Sequence, residues 1–168
     1  MAVAVLISVL TGDDDEIEAV EQHAQTPLAP STTRTTVIDG KAQIVTRLRQ
    51  ILRIRDQAYE RRDVTILNTI YTSDCPCLEG DGRAIRDLLE KERVWRGSPS
   101  SIKVRRVEQV NDRQWIVTAV FQVPPLRVEE ISGQLVESYP AERNLFRFVL
   151  VKSELSDQWL LGHASEVK

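Results

Sequence analysis

The order of the hydrophobic patterns along this chain constrains its fold more than any single motif does. Between Ala42 and Arg62 the apolar residues follow the period of an α-helix, and Asp39-Gly40 is a plausible helix start. Two shorter helical patterns follow, and after Pro99 apolar and polar residues alternate, as they do in strands. We therefore expect an α+β domain with three N-terminal helices packed on a curved, mostly antiparallel sheet.

Each predicted helix carries one apolar side. Asp63 is the expected N-cap of the second helix, because its carboxylate is suited to accept a hydrogen bond from the first turn. The third helix is predicted from about Arg83 to Trp95. The inward-facing positions are Ile44, Leu48, Ile51, Leu52, Ala58 and Tyr59 in the first helix, Val64, Leu67, Ile70 and Tyr71 in the second, and Ile85, Leu88, Leu89 and Trp95 in the third.

Three local signals divide the strand region. The alternation slips near Arg105-Arg106, which predicts a β-bulge. Pro124-Pro125 predicts a bend or a sheet edge, since proline cannot donate to the ladder of a central strand. Ser132-Gly133 lies between two short strand patterns and predicts a hairpin.

The last strands carry the prediction about partners. The final strand is expected over Trp159–Ala164, with His163 on the same face as Trp159 and Leu161. The strands around 115–121 and 145–151 are apolar on both faces. We expect the long helix to cover one face of the sheet and a partner to cover the other, most simply a second copy of the chain.

The first 40 residues differ in composition from the rest. They carry seven acidic residues and one basic residue, which leaves 18 acidic and 21 basic residues, a formal charge of +3, for residues 41–168. This mild excess is far below the basic bias typical of nucleic-acid-binding domains, so no nucleic-acid partner is expected. Residues 12–40 are acidic and then rich in Thr and Pro, which predicts a linker.

The run Met1–Leu10 is apolar and uncharged. It is shorter than the roughly 20 residues that span a bilayer, and it lacks the basic start of a signal peptide. It is the remnant of a longer membrane anchor, a truncated signal sequence, or an apolar end with no targeting role. The predicted organisation is an apolar segment at 1–11, a linker at 12–40 and a folded domain at 41–168, with membrane contact only through the N-terminal segment.

Several segments of the folded part resemble the nuclear transport factor 2-like superfamily. They are Ala58-Tyr59, Leu67–Tyr71, Asp74 and Gly82–Leu89, and the resemblance extends over about residues 42–166. It implies a cone-shaped fold, but the superfamily includes isomerase-like and dehydratase enzymes, transport-factor dimers and anchored extracytoplasmic domains. The apolar start, the linker and Asp74–Cys77 most resemble uncharacterised bacterial extracytoplasmic members.

An isomerase or dehydratase of this kind would need a buried base and a tyrosine or neutral acid to stabilise an oxyanion. The weak candidates are Tyr59, Tyr71, Asp74 and His163, with Glu92 as a further acid. A histidine on an apolar strand or a tyrosine on a helical stripe is more often a core residue than a catalyst. The superfamily's catalytic residues cannot be matched one by one here, so no catalytic residue is assigned.

Cys75 and Cys77 are the only cysteines and are a candidate disulfide pair. A disulfide between them would be strained, because only one residue separates them. The pair is otherwise two free buried thiols, or it has a metal or redox role. With only His23 and His163 besides, the chain lacks the four ligands of a closed zinc site, and nucleotide-binding and hydrolase motifs are missing from the sequence. No metal and no cofactor is therefore predicted.

These observations favour a non-catalytic binding or assembly domain of a membrane-tethered or exported bacterial protein. The expected partners are a second copy of the chain and a small apolar ligand or another protein. The alternative function is a small-molecule isomerase or dehydratase that uses the cone cavity. The alternative location is the cytoplasm.

Overall fold

Helices form the first part of the described chain and strands form the rest. The computed structural model describes the backbone of residues 33–168 and the side chains of residues 40–168. Helix α1 spans Thr33–Arg61, a short 3-10 helix spans Val64–Thr69, and helix α2 spans Pro76–Glu90. The predicted α+β class is confirmed.

The seven strands of the described chain form two antiparallel sheets. A four-stranded sheet has the order β2-β3-β6-β7, and a three-stranded sheet has the order β1-β4-β5. The strands are β1 (Arg93–Gly97), β2 (Ser101–Asn111), β3 (Gln114–Val123), β4 (Leu126–Glu130), β5 (Leu135–Tyr139), β6 (Glu142–Lys152) and β7 (Trp159–Glu166).

The structure confirms the three local features predicted for the strand region, which are the bulge, the break at the two prolines and the hairpin. The register of β2 shifts between Val104 and Arg106, which confirms the predicted bulge. Pro124 and Pro125 separate β3 from β4, and the predicted hairpin joins β4 to β5. Gly133 in that hairpin has a φ of 90°, a conformation that glycine adopts without steric cost.

The boundaries of the first two helices agree with the prediction only in part. The start of α1 at Asp39-Gly40 is wrong, since the helix already begins at Thr33. The residues before it lie outside the described part, so the apolar segment, the linker and their boundaries stay predictions. Asp63 does cap the 3-10 helix, because its side chain accepts a hydrogen bond from the Thr65 backbone nitrogen at 2.9 Å.

The predicted third helix is misplaced by about half its length. Helix α2 begins at Pro76, where the missing N–H of proline costs nothing, and contains Gly80 and Gly82, which precede the predicted start at Arg83. It ends before Trp95, which lies in β1 opposite Val128. Leu89, predicted to be buried, is 45% exposed.

The core lies between α1 and the concave face of the four-stranded sheet. Helix α1 contacts β2 and β7, and the 3-10 helix and α2 close the side. All six predicted inward positions of α1 are buried. They meet Trp115, Val117, Ala119, Phe148, Leu150 and Leu161 from the strands.

A bulge in β7 decides which side chains of the last strand face inward. Leu161 pairs with Leu150, His163 with Val149 and Ala164 with Phe148, so Gly162 is an extra residue between them. A Cβ at Gly162 would lie 3.0 Å from the Val151 side chain, which only glycine avoids. The prediction that His163 shares a face with Leu161 is therefore wrong, and His163 is exposed.

The outer face of the same sheet carries two apolar pairs on its central strands, with Thr118 opposite Arg147 between them. Ile116 lies opposite Val149, and Val120 lies opposite Leu145. These four side chains are half-buried by their neighbours in the single chain. The helices therefore leave this second apolar face uncovered among the described residues.

Candidate functional site

Helix α2 carries an inward stripe that includes one acidic residue. Cys77, Asp81 and Ile85 follow at intervals of four, which places them on one side of the helix. Ile85 is fully buried, and the Asp81 side chain is only 13% exposed. A carboxylate in this position requires partners, because an unpaired buried charge is costly.

Three side chains surround the Asp81 carboxylate and donate four hydrogen bonds to it. Arg55 donates through Nε to Oδ2 at 2.7 Å and through Nη2 to Oδ1 at 2.9 Å. The Tyr59 hydroxyl donates to Oδ1 at 2.7 Å, and the Tyr71 hydroxyl donates to Oδ2 at 2.5 Å. We call these four residues the Asp81 network.

The elements hold each donor in place. Arg55 and Tyr59 are one turn apart on α1, and the guanidinium carbon lies 4.9 Å from the centre of the Tyr59 ring. Tyr71 is fixed by β7, because the Leu161 nitrogen donates to the Ile70 carbonyl and the Thr72 nitrogen donates to the Leu161 carbonyl. The network therefore joins α1, α2 and the last strand.

The electrostatics keep Asp81 ionised. Burial alone would raise the pKa of Asp81, but the charge of Arg55 and the hydrogen bonds from its three partners outweigh burial and hold it below the ordinary value. Burial raises the pKa of both Tyr59 and Tyr71, so the hydroxyls stay protonated as donors. The network is a neutral ion pair with two neutral phenols.

A cavity of about 260 Å³ opens beside this network. One end is polar and holds Arg55, Asp81, Tyr71 and Cys77. The rest of the lining is apolar or aromatic and consists of Leu52, Gly80, Phe121, Phe146, Phe148, Leu161 and Ala164. The cone interior is thus partly open rather than closed by its aromatic residues.

Three phenylalanines form the aromatic wall of the cavity. The Phe121 and Phe146 rings meet edge to face at 5.6 Å, and Phe146 stacks on Phe148 at 5.8 Å. Phe121 and Phe146 are half-buried, whereas Phe148 is buried. Incompletely covered ring faces beside a polar end suit an apolar or aromatic group with a hydrogen-bonding edge.

The structure brings together two of the four weak catalytic candidates. Tyr59 and Tyr71 both contact Asp81. Asp74 is exposed before α2, and His163 points to the outer face of the sheet. Glu92 lies in the turn after α2 and is not part of the network.

The sequence prediction missed Arg55 and Asp81. Asp81 escapes notice because it precedes the predicted helix start at Arg83, so the helical pattern gives no direction to its side chain. With a helix that starts at Pro76, the spacing of four residues would place Asp81 on the same inward side as the buried Ile85. Arg55 lies four residues before Tyr59, and that spacing is the signal that pairs them on α1.

The described residues include neither a metal-binding cluster nor a membrane-spanning helix. Residues 40–168 contain no group of three or more His, Cys, Asp or Glu side chains arranged to hold a metal ion. No described helix is long and apolar enough to cross a membrane.

No family model and no curated protein matches the sequence. The intermembrane space region of the chloroplast protein ARC6 is similar in structure, with a TM-score of 0.53, 11% identity, and coverage of 84% of this chain and 98% of that one. An NTF-2 like protein of unknown function from Shewanella oneidensis aligns at a TM-score of 0.47 and 12% identity over 73% of this chain and 98% of its own. The association domain of C. elegans CaMKII aligns at 0.45 and 10% over 77% and 99%. At 11% identity the likeness to the ARC6 region concerns the fold alone.

Proposed function

We propose that this chain is a non-catalytic binding domain whose cavity accepts an apolar or aromatic group from a small molecule or a protein partner. The observation that carries the proposal is the aromatic wall of a 260 Å³ cavity that ends at an internally paired Asp81 network. A dry cavity of about 150 Å³ holds benzene, so this volume suits a group as large as indole.

The bonding of Asp81 argues against proton-transfer chemistry in the same cavity. A carboxylate has about four acceptor sites, and four donors already occupy those of Asp81. A general base needs a free lone pair and a pKa near the working pH, whereas the pKa of Asp81 is lowered. The isomerase or dehydratase alternative therefore has a pocket, an acid and two tyrosines. The acid, Asp81, is however ion-paired with Arg55 and has no free lone pair to accept a proton.

The strength of binding follows from the area that a ligand would bury. An aromatic side chain buries about 150–250 Å², which corresponds to a gross gain of about 4–6 kcal/mol at 25 cal/mol per Å². Association entropy and ordering reduce this gain. We expect indole, as a simple probe, to bind with a dissociation constant of about 1 mM or somewhat below.

The test uses the methyl groups that line the cavity. Titration of the wild-type domain with indole should shift the methyl NMR signals of Leu52, Leu161 and Ala164 in a saturable manner. Ala164→Phe fills the cavity and should weaken indole binding at least tenfold. His163→Phe is the matched control, because it places the same ring on the exposed face of the same strand and should leave binding unchanged.

Two results would contradict the proposal. One is a wild-type titration in which the lining methyl signals do not shift or do not saturate. The other is an Ala164→Phe variant that binds indole as well as His163→Phe does. Denaturant unfolding of both variants separates a blocked cavity from a lost fold.

We also propose that two copies associate through the outer face of the four-stranded sheet. The support is the two half-buried apolar pairs Ile116–Val149 and Val120–Leu145, which lie on either side of Thr118 and Arg147 and which the helices leave uncovered. A surface of this kind on a central part of a sheet is typical of an interface.

The proposed location is outside the cytoplasm, with Met1–Leu10 as a tether or export segment. Its support is the apolar run before an acidic linker, together with the resemblance to extracytoplasmic members and the intermembrane-space origin of the ARC6 region. We expect the full chain to sediment with membranes or to be exported, and removal of residues 1–11 to leave it in the cytoplasmic fraction. An unchanged distribution after that deletion would contradict the proposal.

A further inference from the structure

Cys75 and Cys77 flank Pro76 at the start of α2, and each borders a different cavity of the protein. Cys77 lines the binding cavity next to Tyr71 and Asp81. Cys75 is the N-cap residue of α2, is buried, and lies beneath an open surface depression that also holds Asp74. Both cysteines are free thiols. The pair therefore lies between the binding cavity and the outer surface depression, within the first turn of α2.

The backbone around Cys75 is fixed, while its side chain caps nothing. Its nitrogen donates to the Thr72 carbonyl at 3.1 Å, and its carbonyl accepts from the Leu78 nitrogen at 2.9 Å. The Cys75 side chain makes no capping hydrogen bond to the helix.

Acidity favours a reaction within this pair. The Cys77 thiol hydrogen-bonds to the sulfur of Cys75 and lowers the pKa of Cys75 to about 7, whereas the same bond and burial raise the pKa of Cys77. Thiolate is the reactive form of cysteine, and one thiolate beside one neutral thiol is the arrangement that oxidises to a disulfide.

We propose that Cys75 and Cys77 form a reversible redox site for small hydroperoxides, and that its oxidation alters the wall of the binding cavity. This site is separate from the Asp81 network. Its effect on ligand binding rests on the proposed function, but its chemistry does not.

The reaction balances with hydrogen peroxide as the oxidant. The Cys75 thiolate attacks one peroxide oxygen, the O–O bond breaks, and sulfenic acid and hydroxide form. The Cys77 thiol then attacks the Cys75 sulfur, the S–O bond breaks, and the oxygen leaves as water with the Cys77 proton. In total two thiols lose two electrons and two protons, and one peroxide becomes two water molecules.

Geometry makes the product labile and couples it to the cavity. A disulfide across a single residue is strained, and strained disulfides are the readily reduced ones. The closed loop is so short that it adds little stability to the fold. Formation of the bond draws the Cys77 sulfur from hydrogen-bond distance to about 2 Å from the Cys75 sulfur, and we expect this to change the cavity wall beside Tyr71 and Asp81.

The experiment exposes the reduced, full chain to hydrogen peroxide and follows three readouts. Thiol titration and mass spectrometry should show the loss of both thiols as one intramolecular disulfide that dithiothreitol reverses. The methyl NMR signal of Ala164 should shift on oxidation. The affinity for indole should fall at least fivefold in the oxidised form and recover on reduction.

Variants separate the steps. Cys77→Ser should leave a sulfenic acid on Cys75 that dimedone traps, without a disulfide, because the second thiol is missing. Cys75→Ser should react much more slowly, because burial still raises the pKa of the remaining Cys77 thiol. Neither variant should lose indole affinity reversibly with peroxide.

Each remaining outcome counts against a defined part of the proposal. Thiols that stay titratable, or that oxidise only to sulfinic acid, would overturn the redox site. A disulfide that leaves both the Ala164 signal and indole affinity unchanged would overturn the coupling to the cavity. If the reduced protein does not bind indole, the proposed function fails, and the thiol count and the Ala164 signal still decide the redox site.

Discussion

Asp81→Asn is expected to lower the free energy of unfolding by about 3–5 kcal/mol, as removal of one partner from a buried ion pair does. The substitution removes the close counter-charge of the Arg55 guanidinium, whose side chain is 21% exposed, and leaves it only the longer 3.7 Å contact with Asp56. It also turns an amide nitrogen towards groups that are themselves donors, Arg55 and a tyrosine hydroxyl. Urea unfolding followed by circular dichroism measures the change as a lower midpoint at constant slope.

The matched control lies on the same helix. Asp87 pairs with Lys91 one turn later, and both side chains are about half exposed, at 49% and 50%. Asp87→Asn removes the same charge from a solvated pair, so we expect a change within about 0.5 kcal/mol. Equal effects of the two substitutions would show that the Asp81 network contributes nothing beyond an ordinary surface pair.

The pH dependence of this effect has a definite sign. The folded-state pKa of Asp81 is lowered, so its ionisation stabilises the fold at pH values above the unfolded pKa of about 3.9. That contribution is lost as the pH falls through the lowered folded pKa. The difference in stability between wild type and Asp81→Asn should therefore be constant near neutrality and shrink below about pH 4. A difference that grows in acid would contradict the assignment of an ionised Asp81.

Val149→Lys is expected to weaken self-association at least 100-fold, which corresponds to about 2.7 kcal/mol. Val149 lies between Ile116 on β3 and His163 on β7, on the outer face of the sheet. In a symmetric pair each copy presents the same face, so the substitution would bury two ammonium groups close together. Sedimentation velocity over a concentration series gives the dissociation constants.

The control for this substitution is Leu155→Lys. Leu155 is 99% exposed in the turn between β6 and β7, away from the sheet face. It adds the same charge to the chain, and we expect the dimer to persist. A wild-type chain that remains monomeric at high concentration would contradict the proposed dimer, and a dimer that tolerates Val149→Lys would place the interface elsewhere.

Much of the fold follows from the sequence, because burial on one side of an element leaves a periodic pattern. The inward face of α1 and the alternation of β3 are long enough to give unambiguous periods. Short elements have no such redundancy, and the predicted α2 is shifted because Gly80 and Gly82 are typical turn residues. Tertiary packing outweighs the cost of about 1 kcal/mol for each glycine in a helix.

The candidate site is less predictable, because it depends on where short segments begin. Tyr59 and Tyr71 stand out as polar-tipped residues on apolar stripes, and the structure places both on one carboxylate. That carboxylate cannot be found without the correct start of α2. The prediction for His163 fails for a related reason, since the bulge at Gly162 adds a residue that alternation cannot reveal.

The bulge in β7 also bears on how chemistry arises in this architecture. If the strand ran straight with the same residues, His163 would lie opposite Phe148 and its imidazole would enter the aromatic chamber near two phenols. Gly162, the extra residue of the bulge, instead places the His163 imidazole on the solvent-exposed face of the sheet. Strand register therefore matters as much as the presence of reactive residues. It decides which side chains line the cavity, and so whether the domain only binds a ligand or also catalyses a reaction on it.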